Sequence, residues 1–222
     1  PRRCSRRRLT GDDTDGQRSA VNWKHITKEK ENHLCYHVTE VMTMTESYGK
    51  YQDARNASWQ CLIRHNVRAL PVPMSKIFRE EGIPIGRYCD NTAQLRESGL
   101  DWLMRNDGFT IRNSAGKIQV FFDEQCSPQR TRFTLAHELG HIYLGHLEGA
   151  GSIQYSARNE EPLETKDPSE RAANIFASRL LAPACVLWRL GIHSPDDIAQ
   201  LCQISMTAAR FRAERMALLY QR

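Results

Sequence analysis

Residues 134–141 read Thr134-Leu135-Ala136-His137-Glu138-Leu139-Gly140-His141 and contain the pattern His-Glu-x-x-His. Residues four apart lie on one face of a helix, so His137 and His141 can direct two imidazoles at one metal ion. Zn²⁺ suits nitrogen ligands, and catalytic zinc sites have three protein ligands and one position open to water. Glu138 would lie beside that water and could accept its proton as the oxygen attacks a carbonyl. The spacing therefore predicts metal-assisted hydrolysis, above all of a peptide bond.

The sequence on either side of this motif predicts the helix that the motif requires. Ser127-Pro128 is a typical helix start, with serine as N-cap and proline in the first turn. Gly145 provides an end. Between them, six residues give the helix an apolar surface: Phe133, Leu135, Ala136, Leu139, Ile142 and Leu144. The alternative interpretation is a surface helix that carries two histidines and binds no metal.

The charge of the chain is concentrated at its start. The 222 residues include 31 basic and 26 acidic ones, which gives a net charge of +5. Five of the basic residues fall within the first eight positions, at Arg2, Arg3, Arg6, Arg7 and Arg8. Without them the basic and acidic residues balance, so the basic character belongs to the tail. We therefore do not expect the body of the protein to bind nucleic acid through its net charge.

The seven cysteines are dispersed and form no Cys-x-x-Cys pair. An odd, scattered set does not indicate a disulfide framework and fits reduced thiols in the cytoplasm. No apolar run approaches membrane-spanning length, and no apolar signal segment follows the arginine-rich start. We expect a cytoplasmic protein that does not interact with a membrane.

Three regions follow from the changes in pattern along the chain. Residues 1–45 are polar and lack periodicity, which predicts a basic, disordered tail, with a nucleic-acid-binding arm as the alternative. Residues 46–190 carry the motif and form the predicted catalytic domain. Residues 191–222 predict a pair of helices packed on it. A chain of this length supports one good core, or one domain with a small appendage.

Hydrophobic periodicity places the secondary structure within these regions. Helices are predicted at residues 51–67, 75–81 and 167–181, and two more open at Ser194 and Ser205. Residues 109–112 and 117–122 are typical of strands, and the Asn113-Ser114-Ala115-Gly116 segment between them predicts a hairpin. Residues 149–166 are expected to form a loop.

Two residues compete to be the third metal ligand. His146 lies five residues after His141, which is one short of the spacing in metzincins. Glu170 would come from a second helix, as in zinc sites with two histidines and one glutamate. Asn174 shares the face of Glu170 and could bond the second nitrogen of a ligand histidine, fixing its tautomer.

Both candidates also have a purely structural explanation. Asp167-Pro168-Ser169-Glu170 can form a capping box in which Glu170 serves only the helix start. His146 can be a helix-end histidine that the helix dipole favours. The pattern alone favours Glu170 over His146 but leaves both open.

Two segments together resemble the signature of the ImmA/IrrE-type metallo-endopeptidases. The first is residues 132–141 with Leu144-Gly145-His146, and the second is residues 170–177 with Leu180-Leu181-Ala182-Pro183. Leu70-Pro71-Val72-Pro73 and Asp107-Gly108-Phe109 are weaker landmarks. The resemblance extends over about residues 51–219 and does not include residues 1–45. It implies that Glu170, which opens the second segment, is the third metal ligand.

The resemblance also implies a fold and a role. The fold would be α+β: a helical, zincin-like metallopeptidase domain with a small β-sheet and a C-terminal helix-turn-helix-like segment. Members are gluzincin-like peptidases, often found beside a helix-turn-helix repressor in mobile elements or stress-response loci. Cleavage of the repressor releases transcription. The expected cofactor is therefore Zn²⁺ and the expected partner is a repressor that serves as substrate.

Several points of mechanism stay open at this level. Tyr143, Tyr155 or His146 could stabilise the oxyanion, and strand 117–122 could pair its edge with an extended substrate. An amidase that acts on a small amide would use the same chemistry. The alternative outside enzymology is a non-catalytic zinc-containing regulator that binds DNA or a repressor through its C-terminal helices. Its weakness is Glu138, because a structural zinc site needs no carboxylate beside an open position.

Overall fold

The computed structural model describes residues 51–147, 151–155 and 167–220. The predicted tail, residues 1–45, lies outside the described residues. The helices before the sequence motif and the motif helix itself are α1 (Gln52–Arg64), α2 (Met74–Glu80), α3 (Tyr88–Glu97) and α4 (Pro128–Tyr143). The later helices are α5 (Pro168–Leu181), α6 (Ala184–Arg189), α7 (Pro195–Cys202) and α8 (Met206–Tyr220). A 3₁₀ turn covers Asp101–Arg105. The mixture of helices with one small sheet confirms the predicted α+β class.

Within the described residues the sheet has four strands in the order β1-β3-β2-β4. They are β1 (Ile85–Arg87), β2 (Gly108–Arg112), β3 (Ile118–Phe122) and β4 (Ile153–Tyr155). The pairing of β2 with β3 is antiparallel, so the predicted hairpin is confirmed. The prediction that residues 117–122 offer a free sheet edge to the substrate is wrong. β3 lies inside the sheet, with β1 parallel to it on one side and β2 antiparallel on the other.

Two short elements depart from the sequence-based expectation. β4 falls within the predicted loop 149–166 and pairs antiparallel with β2. Helix α6 follows Pro183, which acts as its N-cap residue. Elements of three and six residues are too short to show a hydrophobic period in the sequence. β4 is recognised only through its pairing with β2, which lies about forty residues earlier in the chain.

Helix α4 lies in the centre of the molecule, and its eight residues from Thr134 to His141 are all buried. Eight residues cover more than two turns, so neighbours surround this part of the helix on every side. Its start follows the expected chemistry, since Ser127 Oγ accepts a hydrogen bond from the backbone N–H of Arg130 and Pro128 occupies the first turn. The strands β2 and β3 pack on one side, and α1, α2 and α5 complete the enclosure. The core buries apolar residues from all of these helices, including Cys61, Ile77, Leu139, Phe176 and Leu180.

The C-terminal helices share this core. Ser194 caps α7 by accepting a hydrogen bond from the N–H of Asp197, as predicted, and Gln203 turns the chain toward α8 with a φ of 53°. Arg212 of α8 is buried, and its guanidinium donates to the backbone oxygen of Ser178 at 2.6 Å. Arg212 is thus used to attach α8 to α5 and is not available to contact DNA. The helix-turn-helix character of residues 191–222 stays a prediction. Across the described ranges, no helix is long and apolar enough to cross a membrane.

Gly108 permits the close approach of β2 to α4. A Cβ at this position would lie 2.4 Å from Thr134 Cγ2 and 3.0 Å from the backbone oxygen of Phe121. We expect Gly108→Ala to lower the free energy of unfolding by about 1–3 kcal/mol, as overpacked cores do. Urea denaturation would measure the loss. Adding Thr134→Ser removes the nearest methyl group and should restore part of the stability. A single variant as stable as the parent protein would contradict this account of the contact.

Candidate metal centre

Three side chains converge beneath α4. The Nε2 atoms of His137 and His141 are 2.9 Å apart, and Glu170 places Oε2 3.2 Å from the first and Oε1 3.1 Å from the second. These atoms form the group of potential metal ligands found within the described residues. Tetrahedral zinc, with bonds of about 2.0–2.2 Å, sets ligand atoms about 3.3–3.6 Å apart. The observed separations of 2.9–3.2 Å are a few tenths of an ångström shorter, so a small outward movement of the side chains would let two imidazole nitrogens and one carboxylate hold a small divalent cation.

Two helices supply the three ligand atoms. The turn of α4 brings the histidines to one face, as their spacing of four predicts. Helix α5 begins at Asp167, whose Oδ1 accepts a hydrogen bond from the N–H of Ser169 at 2.8 Å. That cap fixes the first turn, and the carboxylate of Glu170 points to the two rings. Glu170 therefore does more than complete a capping box.

The outer nitrogens of both histidine rings are also held. Nδ1 of His137 lies 2.8 Å from Oδ1 of Asn174, the amide expected there from the sequence. Nδ1 of His141 lies 2.9 Å from Nδ1 of His146. His146 thus lies behind a ligand candidate, on the side away from Glu170. The structure brings Glu170 to the three-residue group, and His146 is not a member of it.

Glu138 lies in the same buried region with 1 % of its surface exposed. Thr110 of β2 donates its hydroxyl hydrogen to Glu138 Oε2 over 2.6 Å. Burial raises the pKa of the Glu138 carboxyl, while the charges of His137 and His141 and the Thr110 bond act in the opposite direction. A carboxylate with a raised pKa is a better proton acceptor than an ordinary one. Thr110 is a site residue that the sequence patterns do not reveal, because only the pairing of β2 against α4 places it there.

The charges of the cluster favour an ionised Glu170. Burial alone would raise the pKa of this carboxyl, but its contacts with His137 and His141 lower it well below the usual range. For His137, burial opposes protonation, but the bond to Glu170 and the charges of Glu138 and Glu170 raise its pKa. The Glu170 carboxylate and the two imidazoles thus favour a positive charge between them, which either a proton or a metal ion can supply.

Tyr143 takes part in a different cluster. Its hydroxyl donates to Glu81 Oε1 and lies 3.1 Å from Nε2 of His65. His65 directly follows α1 and Glu81 directly follows α2, so the structure gives this hydroxyl a role in fixing the ends of these two helices to the end of α4. Tyr155, another of the three oxyanion candidates, lies in β4, and its side chain is outside the described part of the chain.

Thr110→Val should show what the hydroxyl does for Glu138. Valine keeps the shape and removes a hydrogen bond to a charged group, which is worth about 1.5–3 kcal/mol. We expect any hydrolysis that uses Glu138 as proton acceptor to fall at least about 10-fold while metal affinity stays unchanged. The Thr110 hydrogen bond lowers the pKa of Glu138, so its loss should raise that pKa. The acid limb of the pH–rate profile should therefore move to higher pH. Thr110→Ser should behave like the parent protein. An unshifted acid limb in the valine variant would contradict an effect of the Thr110 hydrogen bond on Glu138.

A central helix that presents two histidines and a glutamate, joined by a glutamate from the next helix, defines a His-Glu-x-x-His class of metal site. The family model of the IrrE N-terminal-like domain, Peptidase_M78, matches residues 103–214, about half of the chain. The chain belongs to this peptidase family, as the resemblance in its sequence implies. No curated protein matches the chain. Family membership indicates a hydrolase of the metallopeptidase type, and the His137, His141 and Glu170 group is where its metal ion fits.

Proposed function

We propose that this protein is a zinc-dependent endopeptidase that cleaves a helix-turn-helix transcriptional repressor in the cytoplasm. The observation that carries the proposal is the convergence of His137, His141 and Glu170 beside the buried carboxylate of Glu138. The first three residues would hold Zn²⁺, and Glu138 would serve as general base. When bound there, Zn²⁺ would act as a Lewis acid toward the scissile carbonyl and lower the pKa of a water molecule.

Glu138 has the surroundings that a proton carrier needs. Thr110 holds Oε2, so we assign the proton to Oε1. The carboxylate takes a proton from the attacking water as its oxygen bonds to the carbonyl carbon, and then delivers that proton to the departing amine nitrogen. No net proton remains on the enzyme after the peptide bond has broken. Burial raises the pKa of Glu138, which makes the carboxylate a stronger acceptor for the water proton.

We also propose where an extended substrate would bind. β3 is paired on both sides, whereas β4 is an outer strand of the sheet among the described residues. β4 pairs with β2, and β2 carries Thr110, which contacts Glu138. A peptide that adds a strand alongside β4 would run close to the catalytic helix α4. This arrangement replaces the substrate edge expected at residues 117–122.

The regulator alternative has less support. Arg212 is buried and bonded to Ser178, which leaves Arg210 and Arg215 as the exposed arginines of α8, with Glu214 between them. The buried Glu138 beside the three ligand candidates also has no purpose in a structural site. Salt-dependent binding of DNA by residues 46–222 would favour the regulator.

The deciding experiment tests two kinds of substrate separately. The zinc-loaded protein is incubated with a helix-turn-helix repressor encoded beside it and, separately, with a quenched-fluorescent peptide library. Mass spectrometry then maps the fragments. Cleavage that stops with a chelator and returns with Zn²⁺ would support the proposal. Cleavage of the library but not of the repressor would leave the reaction class standing and overturn the substrate. Cleavage that survives complete removal of metal would overturn the mechanism.

A further inference from the structure

The chain leaves the catalytic helix α4 through a turn with two specific hydrogen bonds. The N–H of Gly145 donates to the oxygen of Ile142 at 3.2 Å, and the N–H of His146 donates to the oxygen of His141 at 2.9 Å. Gly145 has a φ of 73°, in the left-handed region that glycine adopts without strain. This pair of bonds is the Schellman motif, which ends many helices.

The motif determines what lies over His141. In a Schellman turn the second residue after the cap packs against the residue three from the helix end. Here these two residues are His146 and His141. Their ring centroids are 5.0 Å apart at an angle of 68°, and their Nδ1 atoms are 2.9 Å apart. A contact that is usually apolar has become a hydrogen bond between two imidazoles.

The two rings must divide one donor and one acceptor between them. His141 turns Nε2 toward Glu170 and His137, so a neutral His141 that binds metal through Nε2 carries its proton on Nδ1. That N–H then donates to Nδ1 of His146. His146 accepts, and its own proton is on Nε2. The same logic applies to His137, whose Nδ1 hydrogen goes to Asn174.

We propose that His146 is a positioning residue for the metal site: the glycine turn at the end of α4 sets its ring behind His141, where it fixes the tautomer and orientation of that ligand. The inference rests on the proposed metal site. It assigns a role to the Leu144-Gly145-His146 segment that neither direct coordination nor the helix dipole accounts for. Outer partners of this kind typically affect metal affinity 10–100-fold.

The test measures Zn²⁺ affinity of the full chain by competition with a chromophoric chelator, so it does not depend on activity. His146→Phe keeps a ring against His141 and removes the acceptor, and we expect Zn²⁺ to bind about 10–100-fold more weakly. His146→Asn places an amide oxygen near the position of Nδ1 and should restore affinity to within a few-fold. His193→Phe is the matched control, because His193 is exposed and stacks on Trp188.

Gly145→Val provides a second route to the same result, since it leaves His146 in place and disturbs the turn that carries it. We expect weaker Zn²⁺ binding here too, with Gly145→Asn closer to the parent because asparagine tolerates positive φ. NMR of the zinc-loaded protein with ¹⁵N-labelled histidine would show directly whether His141 holds its hydrogen on Nδ1. A proton on Nε2 of His141, or unchanged affinity in His146→Phe, would overturn the inference. A parent protein that binds no Zn²⁺ would overturn the proposed function instead.

Discussion

Replacing Glu138 with glutamine is expected to abolish peptide-bond cleavage while the protein keeps its metal. The amide cannot take a proton from the attacking water, and general bases contribute about 10²–10⁴-fold to such rates. Glutamine has the shape of glutamate and can still accept the Thr110 hydrogen bond. Zinc affinity should therefore stay within a few-fold of the parent value. The turnover number and the Zn²⁺ dissociation constant are the two quantities to measure.

The unfolding temperature adds an independent check on Glu138. A buried carboxylate costs free energy because it has left water, and a neutral amide of equal size costs less. The metal-free glutamine variant should thus be at least as stable as the parent, as expected for a residue retained for function. Glu97→Gln, an exposed change at the end of α3, controls for the loss of one negative charge. Substantial turnover by Glu138→Gln would exclude this residue as the base.

Replacing Glu170 with glutamine is expected to remove the metal as well as the activity. The variant loses the charge of a carboxylate whose two oxygens lie 3.1 and 3.2 Å from the Nε2 atoms of His141 and His137. Loss of a direct ligand weakens metal binding more than loss of a residue that only orients a ligand. We therefore expect Zn²⁺ to bind more than about 100-fold more weakly. Isothermal titration of the metal-free protein would show this. Glu214→Gln on α8 is the matched control, since its side chain is exposed.

This prediction also separates the two sequence-based candidates for the third ligand. If His146 were the ligand, Glu170→Gln would leave Zn²⁺ binding nearly intact and His146→Phe would eliminate it. The structure indicates the opposite order of effects, because Nδ1 of His146 contacts the outer nitrogen of His141. Measuring both variants under the same conditions decides between the two assignments.

Sequence patterns predicted correctly those features that depend on residues close together in the chain. Ser127-Pro128 and Asp167-Pro168 begin helices in the structure, and the four-residue spacing of His137 and His141 brings their rings together. Asn174 was predicted from helical geometry on the same grounds. In each case the residues involved are within one or two turns of each other.

The features that were missed depend on contacts between distant segments. The interior position of β3 follows from its pairing with residues 85–87, more than thirty positions earlier. Thr110 reaches Glu138 only because β2 packs on α4. Tyr143 looked like a candidate for the site from its place in the sequence, yet it faces Glu81. No periodicity within a single element encodes these arrangements.

The Arg212 bond to Ser178 has a consequence for the intact protein. The backbone oxygen that Arg212 holds belongs to the same helix that brings Glu170 to the histidines. Proteolytic loss of residues 206–222 would remove that cation and uncover the apolar surface beneath α8, even though none of the lost residues is a ligand candidate. We therefore expect trimming at the far end of the chain to loosen α5, the helix that positions Glu170, although it removes none of the ligand candidates.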